Sequence, residues 1–446
     1  MENISYKVAL GQRRIFSREG AKKLVPCITA VVIAWVISVL LTLRAQDAAA
    51  AQAATQLWVL PCLSIAAMVF CVGVGAGAEP LIVLFTTFLA NIGITCQLLL
   101  DANTAKSLMA GYILGFAASL ICLGAIQFIS HCSKAVVEAA SLVVCFVIFA
   151  AAMLSPAVNG SHIAVQVLGR SVLVGQPMLL VALAGVAAAI SDRESSSAQR
   201  LLSAAVVAII NTLYYIVMNE MGSALIFVLA IAVMVIAANE VELLDLLPLG
   251  VLAGGTAYLS WGVLKIFGTK FPGSLFGKIW NKVTQRLAYV DILSKMNNLS
   301  SEELLGAAYQ PVQAKKCLLT AKFIGSSPYH VHLPVQATDY VACVVANRLG
   351  VAAVLVLVVL VYIIFALGLV NSGRSKGFVS TLGLGCAGAL AAAAVLNLLG
   401  ATNTLPAVGV SMPFVSAGTT SLVSSMVMTG IVAHSSVKQK EENHEI

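Results

Sequence analysis

An acidic residue in Leu333-Pro334-Val335-Gln336-Ala337-Thr338-Asp339-Tyr340 stands where a long polar segment gives way to a long apolar one. A carboxylate half in water and half against apolar groups tends to keep its proton, which suits a general base. Thr338 or Asp339 as the N-cap of a following helix explains the same residues without any chemistry. A second stretch, Gly409-Val410-Ser411-Met412-Pro413-Phe414-Val415-Ser416-Ala417-Gly418-Thr419-Thr420-Ser421-Leu422, sets hydroxyls, glycines and a proline at the mouth of an apolar helix. Such residues leave backbone groups that lipid cannot satisfy, so the stretch should face protein or a wet cavity. Lys315, Lys316 and Lys322 precede Asp339 on the polar segment. Each reads more simply as a solvated or headgroup-binding charge than as a ligand contact. His330 and His332, two residues apart, are more simply incidental than metal ligands.

The elements that must position these residues are membrane helices. The chain is 60% hydrophobic and 10% charged, with a mean hydropathy of +0.96, which is membrane-class composition. About twelve apolar runs are each long enough to cross a hydrocarbon core of roughly 30 Å. They lie near residues 24–44, 57–77, 80–100, 105–130, 134–154, 171–191, 200–217, 222–238, 243–266, 339–370, 377–400 and 408–433. The expected fold is an all-α polytopic bundle. The ten cysteines sit mostly inside these runs with no C-x-x-C pair, so they read as apolar packing residues, with neither a disulfide framework nor a zinc site. The basic leader before the first run (Lys7, Arg13, Arg14, Arg18, Lys22, Lys23) precedes an apolar stretch too long for a signal peptide, which predicts an uncleaved helix.

Lys and Arg on short loops set orientation. With twelve spans, the basic N-terminus, the loop Asp192 to Arg200, the turn Arg374-Ser375-Lys376 and the tail Lys438-Gln439-Lys440 all fall on one side, the cytoplasmic one. The loop 267–337 then falls outside, and Arg170 shares its side. The eight Lys and Arg of that loop, against Asp291, Glu302 and Glu303, do not violate the rule, because long loops translocate largely regardless of charge. Within it, Phe276-Gly277-Lys278-Ile279-Trp280-Asn281-Lys282-Val283 onward to Met296 suits a helix lying on the outer membrane surface. Glu138, Glu220 and Arg348 are the other ionisable residues within or at the ends of spans.

The Gly409–Leu422 stretch resembles the last segment of the SEDS family (shape, elongation, division and sporulation proteins), G-V-x-L-P-F-[VI]-S-Y-G-G-[ST]-S-L. Leu333 to Tyr340 with Asn347-Arg348-Leu349-Gly350 is similar to that family's L-P-E-A-H-T-D-F…E-E-L-G. Other pieces follow in the family's order: Glu79-Pro80-Leu81, Asn159-Gly160 with Gly169 to Pro177, Glu220 to Leu225, and Tyr309 to Ala314. The likeness covers about 79–433, a ten-span core that includes the loop 267–337. Residues 1–78 supply a basic N-terminus and two extra spans, and 434–446 a cytoplasmic tail. This chain departs from the pattern at Ala164, Leu179, Ala182, Val335, Ala337, Asn347, Arg348 and Ala417-Gly418-Thr419.

The resemblance implies an inverting peptidoglycan glycosyltransferase that polymerises lipid II at the outer face of the bacterial cytoplasmic membrane, for division or cell shape. It implies Asp339 as the catalytic residue. Lys315, Lys316, Lys322, Arg170, Gln310, Gln313, Ser416 and Thr338 would bind substrate. No cofactor is implied, and a divalent metal assisting pyrophosphate departure is left open. The implied partners are lipid II, a class B penicillin-binding transpeptidase and other divisome or elongasome membrane proteins, and no nucleic acid. Two alternatives stand beside it: a catalytically impaired regulator of a penicillin-binding protein, and a flippase of lipid-linked sugar.

Overall fold

The computed structural model describes residues 80–157, 161–167, 170–192, 194–237, 262–288, 298–306, 308–329, 331–333, 335–373, 377–407 and 409–442, with 29, 32 and 36. The expected span at 24–44 apart from 29, 32 and 36, the span at 57–77, and most of 243–266 lie outside these residues. Those described are almost all helical: α1 Pro80–Leu98, α2 Ala102–Ser130, α3 Lys134–Leu154, α4 Gly175–Ser191, α5 Ser197–Val217 and α6 Met221–Ala237. Then come α7 at 262–270, α8 Leu275–Ala288, α9 Ser301–Leu305, α10 Tyr309–Leu319, α11 Val341–Leu349, α12 Val351–Ser372, α13 Phe378–Ala401 and α14 Thr419–Glu442. One antiparallel hairpin, β1 Ala164–Val167 with β2 Arg170–Leu173, pairs Ala164 with Leu173. Six of these helices are long and apolar enough to cross a membrane, and α4 and α6 are shorter apolar helices.

Local chemistry starts the helices where the sequence places polar residues. Asp101 caps α2 by accepting from the Asn103 and Thr104 amides, and Ser196 with Gln199 forms a capping box on α5. With no hydrophobic force between helices in lipid, close backbone approach holds the bundle. On α13, a Cβ at Gly385 would stand 2.6 Å from the Met234 sulfur, and one at Gly388 3.0 Å from Val233. Gly111 and Gly115 of α2 similarly seat Thr419 and Met426 of α14.

Three apolar runs differ from their expected form. The run 339–370 is two helices, α11 and α12, broken at Gly350 with φ +104°. Asn347, Arg348 and Gly350 mark the break in the sequence, while the apolar residues on either side make it read as one run. The helix of the 408–433 run starts only at Thr419, because residues 409–418 form the irregular stretch their glycines and proline favour. The run 171–191 begins as strand β2 and turns helical at Gly175. The outer surface segment is helical over Leu275–Ala288, and its continuation 289–297 lies outside the described residues.

Candidate active site

The chain reverses between successive helices, which gathers residues 99–101, 155–157, 161–167, 170–174, 218–220, 335–340, 402–407 and 409–418 at one end of the bundle. Direct contacts tie them together: His162 N to Met218 O at 2.9 Å, Asn403 Nδ2 to Pro311 O at 3.1 Å, and Gln97 Nε2 to Ala337 O at 3.0 Å. At this end two irregular segments, 335–340 and 409–418, lie against each other. Ser416 Oγ donates to Thr338 O at 2.8 Å and receives Met412 N at 2.8 Å, while Ala417 N donates to Ala337 O at 2.8 Å.

Two buried amides complete the join. Gln97, 0% exposed near the end of α1, donates to both Ala337 O and Val415 O, the latter at 3.1 Å. Asn397, 2% exposed on α13, donates to Val410 O at 2.7 Å and Asp339 O at 3.0 Å, with Thr338 O at 3.5 Å. Asn397 is four residues short of the end of α13, so the Asp339 turn sits roughly one helical turn, about 5 Å, below that end. The carboxylate is half buried and passes Gly409, whose added Cβ would meet Asp339 Oδ2 at 3.7 Å.

Both segments carry strained backbone. Val335 has φ +49° and Phe414 φ +64°, a region where a β-branched or bulky residue is an outlier costing about 1–3 kcal/mol. Val335 O accepts the Thr338 and Asp339 amides, so the strained residue closes the turn that presents the carboxyl. Gly93 makes room for the other: a Cβ there would stand 2.4 Å from Phe414 O.

Gly409 also forms part of a cavity of about 100 Å³, with Val410, Ser411, Gly175, Gln176, Glu220, Ser223, Thr420 and Ser421 among its lining residues. Ser223 Oγ donates to Glu220 Oε1 at 3.0 Å. Ser421 Oγ is buried without a hydrogen-bond partner among the described residues. A buried polar atom of that kind is normally met by water or a ligand group. Among the described residues no group of three His, Cys, Asp or Glu could hold a metal.

The profile of the FtsW/RodA/SpoVE family, cell cycle proteins, matches residues 81–441. The chain belongs to this family. Curated relatives include a Bacillus subtilis protein named "Probable peptidoglycan glycosyltransferase FtsW", 32% identical over 107 residues, which are 24% of this chain and 27% of that protein. Escherichia coli "Peptidoglycan glycosyltransferase MrdB" is 30% identical over 138 residues, 29% of this chain and 36% of that one. These matches span about a quarter to two fifths of the relatives' lengths. Among solved structures, Thermus thermophilus rod shape determining protein RodA superposes with a TM-score of 0.52 at 16% identity, covering 80% of this chain and 96% of that one. A chain from "Structural coordination of polymerization and crosslinking by a peptidoglycan synthase complex" gives 0.57 at 18% identity, with the same coverage. The fold is therefore that of an FtsW/RodA/SpoVE protein, and the chain is a multi-pass membrane protein.

Within this family fold, Thr338, Asp339 and Ser416 come together as one cluster. Gln310, Gln313, Lys315 and Lys316 lie on α10, which packs on α11 through Cys317 Sγ to Cys343 O at 3.2 Å. Burial pushes the Cys317 thiol up to about 11, with Arg348 pulling the other way. Lys315 is half buried, while Lys316 and Lys322 are exposed. Arg170 begins β2 at the turn of the hairpin, whose other end, at Leu173, lines the cavity. The alternative N-cap role falls instead to Tyr340, and the Thr338 hydroxyl donates to Val335 O at 3.2 Å. Asn347, where the resemblance pattern has an acid, donates to Cys317 O, Thr320 Oγ1 and Tyr329 O, pinning the segment 317–329 to α11. Gln97 and Asn397 were not among the expected site residues. Each is an amide in an apolar helix, Asn397 the single one of α13 and Gln97 one of two on α1 with Asn91, and that could have marked them.

Proposed function

We propose that this FtsW/RodA/SpoVE protein is a peptidoglycan glycosyltransferase that polymerises glycan strands from lipid II at the outer face of the bacterial cytoplasmic membrane. The observation that carries the reading is the Asp339 carboxyl, presented by a strained, doubly braced turn against Gly409 at the cavity edge. Asp339 takes the proton of the acceptor sugar hydroxyl as its oxygen bonds to the donor's anomeric carbon. The bond from that carbon to the pyrophosphate breaks with its electron pair, and the polyprenyl pyrophosphate leaves. That leaving group is weakly basic and needs no protonating acid, so one carboxylate suffices, and attack opposite the leaving group inverts the sugar. Lys315, Lys316, Lys322 and Arg170 would stabilise the departing charge, with Gln310, Gln313, Thr338 and Ser416 placing the sugars.

The positive-inside rule supports this orientation. The end opposite Asp339 carries Lys134 and Arg200. Both termini would then be cytoplasmic. A class B penicillin-binding transpeptidase would be the partner. A second reading, a regulator of that partner without turnover, draws on α4: Leu179 and Ala182, where the resemblance pattern carries charges, are buried apolar residues at 2% and 0% exposure. Incubating the purified chain, wild type and Asp339→Ala, with lipid II and resolving products on a gel separates the readings. Polymer from wild type alone is expected. Polymer from both variants removes Asp339 from the chemistry, and polymer from neither, with the transpeptidase still co-purifying, favours the regulator.

A further inference from the structure

The break at Gly350 frees backbone groups, and an outer segment satisfies them. Val351 N donates to Lys322 O at 3.0 Å and Ala352 N to Phe323 O at 2.9 Å. Gly325 N returns a bond to Leu349 O at 3.0 Å, and Ser327 N one to Asn347 O at 2.8 Å. The fit leaves no room for a side chain, since a Cβ at Gly350 would lie 2.7 Å from Phe323 O and 2.8 Å from Ile324 Cα. Phe323 and Ile324 are thus fixed at the first turn of α12, yet their side chains are 66% and 73% exposed.

Their height follows from helix register. Gly383 of α13 lies against Ser372 of α12, and Gly368 of α12 against Ala387. The same antiparallel register carried up α12 sets Gly350 opposite residue 405, just past the end of α13 at Ala401. The tip therefore stands at the outer edge of two membrane-length helices. Below it α12 exposes Leu355, Val356 and Val359, a face suited only to lipid. Exposed Lys322 precedes the two apolar residues, and a cation beside apolar side chains is the pattern of groups that straddle headgroup and hydrocarbon.

We propose that Lys322-Phe323-Ile324 is a membrane anchor of the outer segment. Phe323 and Ile324 enter the hydrocarbon edge of the leaflet on the Asp339 side, and Lys322 meets phospholipid phosphates. The anchored segment is hydrogen-bonded to α11, which begins at the Asp339 turn, so it fixes the height of that carboxyl against the leaflet. This last consequence, and not the anchoring, rests on the polymerase reading.

The test places photoreactive p-benzoylphenylalanine at position 324, and separately at 323, in the full chain reconstituted in phosphatidylglycerol–phosphatidylethanolamine vesicles. Position 359 on the α12 lipid face and position 332, an exposed outer residue, serve as controls. After irradiation, mass spectrometry should find phospholipid adducts at 324 and 323 in yield comparable with 359, and loss of the adduct at 332. Adducts at 359 with none at 324 and 323, or adducts there only to another copy of the protein, overturn the anchor. Phospholipid adducts at 324 from a wild-type background that makes no polymer support the anchor while removing the polymerase reading.

Discussion

The two ends of α13 are held by different physics. Its inner two thirds pack through Gly383, Gly385 and Gly388, where neighbouring helices come within van der Waals contact of bare backbone. Its outer end is tied by one amide, Asn397, to carbonyls of two irregular segments. Steric fit is spread over many residues and tolerates no added volume, whereas the amide join is concentrated and directional. The bundle is therefore specified by what is missing from side chains, and the site by a few polar groups that each have no substitute. Substitutions at the two ends should separate stability from turnover.

The largest effect belongs to the inner end. Gly388→Leu adds carbon where even a Cβ would lie 3.0 Å from Val233, and overpacking of this kind costs about 1–3 kcal/mol or more. A lower thermal unfolding midpoint and reduced membrane yield are expected, measured by fluorescence-detected size exclusion. Next is Asn397→Ala, which strips the donor from buried carbonyls at a cost of about 1–3 kcal/mol. If that cost falls on the geometry of Asp339, kcat drops roughly 10- to 100-fold with little change in KM and a small shift in midpoint. A fall in stability equal to that of Gly388→Leu, with kcat intact, would erase the contrast between the two ends.

A smaller effect is expected at Gly409, which has a φ of +73° and where an added Cβ would stand 3.7 Å from Asp339 Oδ2. Gly409→Ala should cost about 1–2 kcal/mol of backbone strain, read as a modest loss of both turnover and stability. The smallest lies away from the site, at Asp101. Thr104 hydrogen bonds hold its carboxyl below the usual range. A lowered folded value means the stabilising contribution is present above the unfolded value near 4 and is lost as pH falls through the folded one. Thr104→Val should thus lower the midpoint slightly at neutral pH, and the difference should vanish in acid. A difference that grows in acid would contradict the sign.

How much of this was legible in the sequence follows from the same contrast. Apolar runs of membrane length are a bulk property, so α1 through α6, α12 and α13 lie where composition puts them. Asp339 stood out because a carboxyl at the junction of a polar and an apolar segment is unusual, and the structure places it where two irregular segments meet. The helix break at Gly350 was read through, because apolar residues on both sides of Asn347-Arg348-Leu349-Gly350 form one long run, and the positive φ and the paired segment 322–327 are what define it. Gln97 and Asn397 were visible as amides in apolar helices, but partners of theirs lie 240 and 58 residues away in the chain. No local pattern joins such distances.

The central claim is that the Asp339 carboxylate acts as the base. The direct measurement is the initial rate of lipid II polymerisation by purified wild type and Asp339→Asn, with unfolding midpoints recorded on the same samples. The asparagine keeps the shape and cannot take the proton, so the rate should fall at least about 100-fold while the midpoint stays within error. Polymer formed by Asp339→Asn at the wild-type rate would contradict the claim outright.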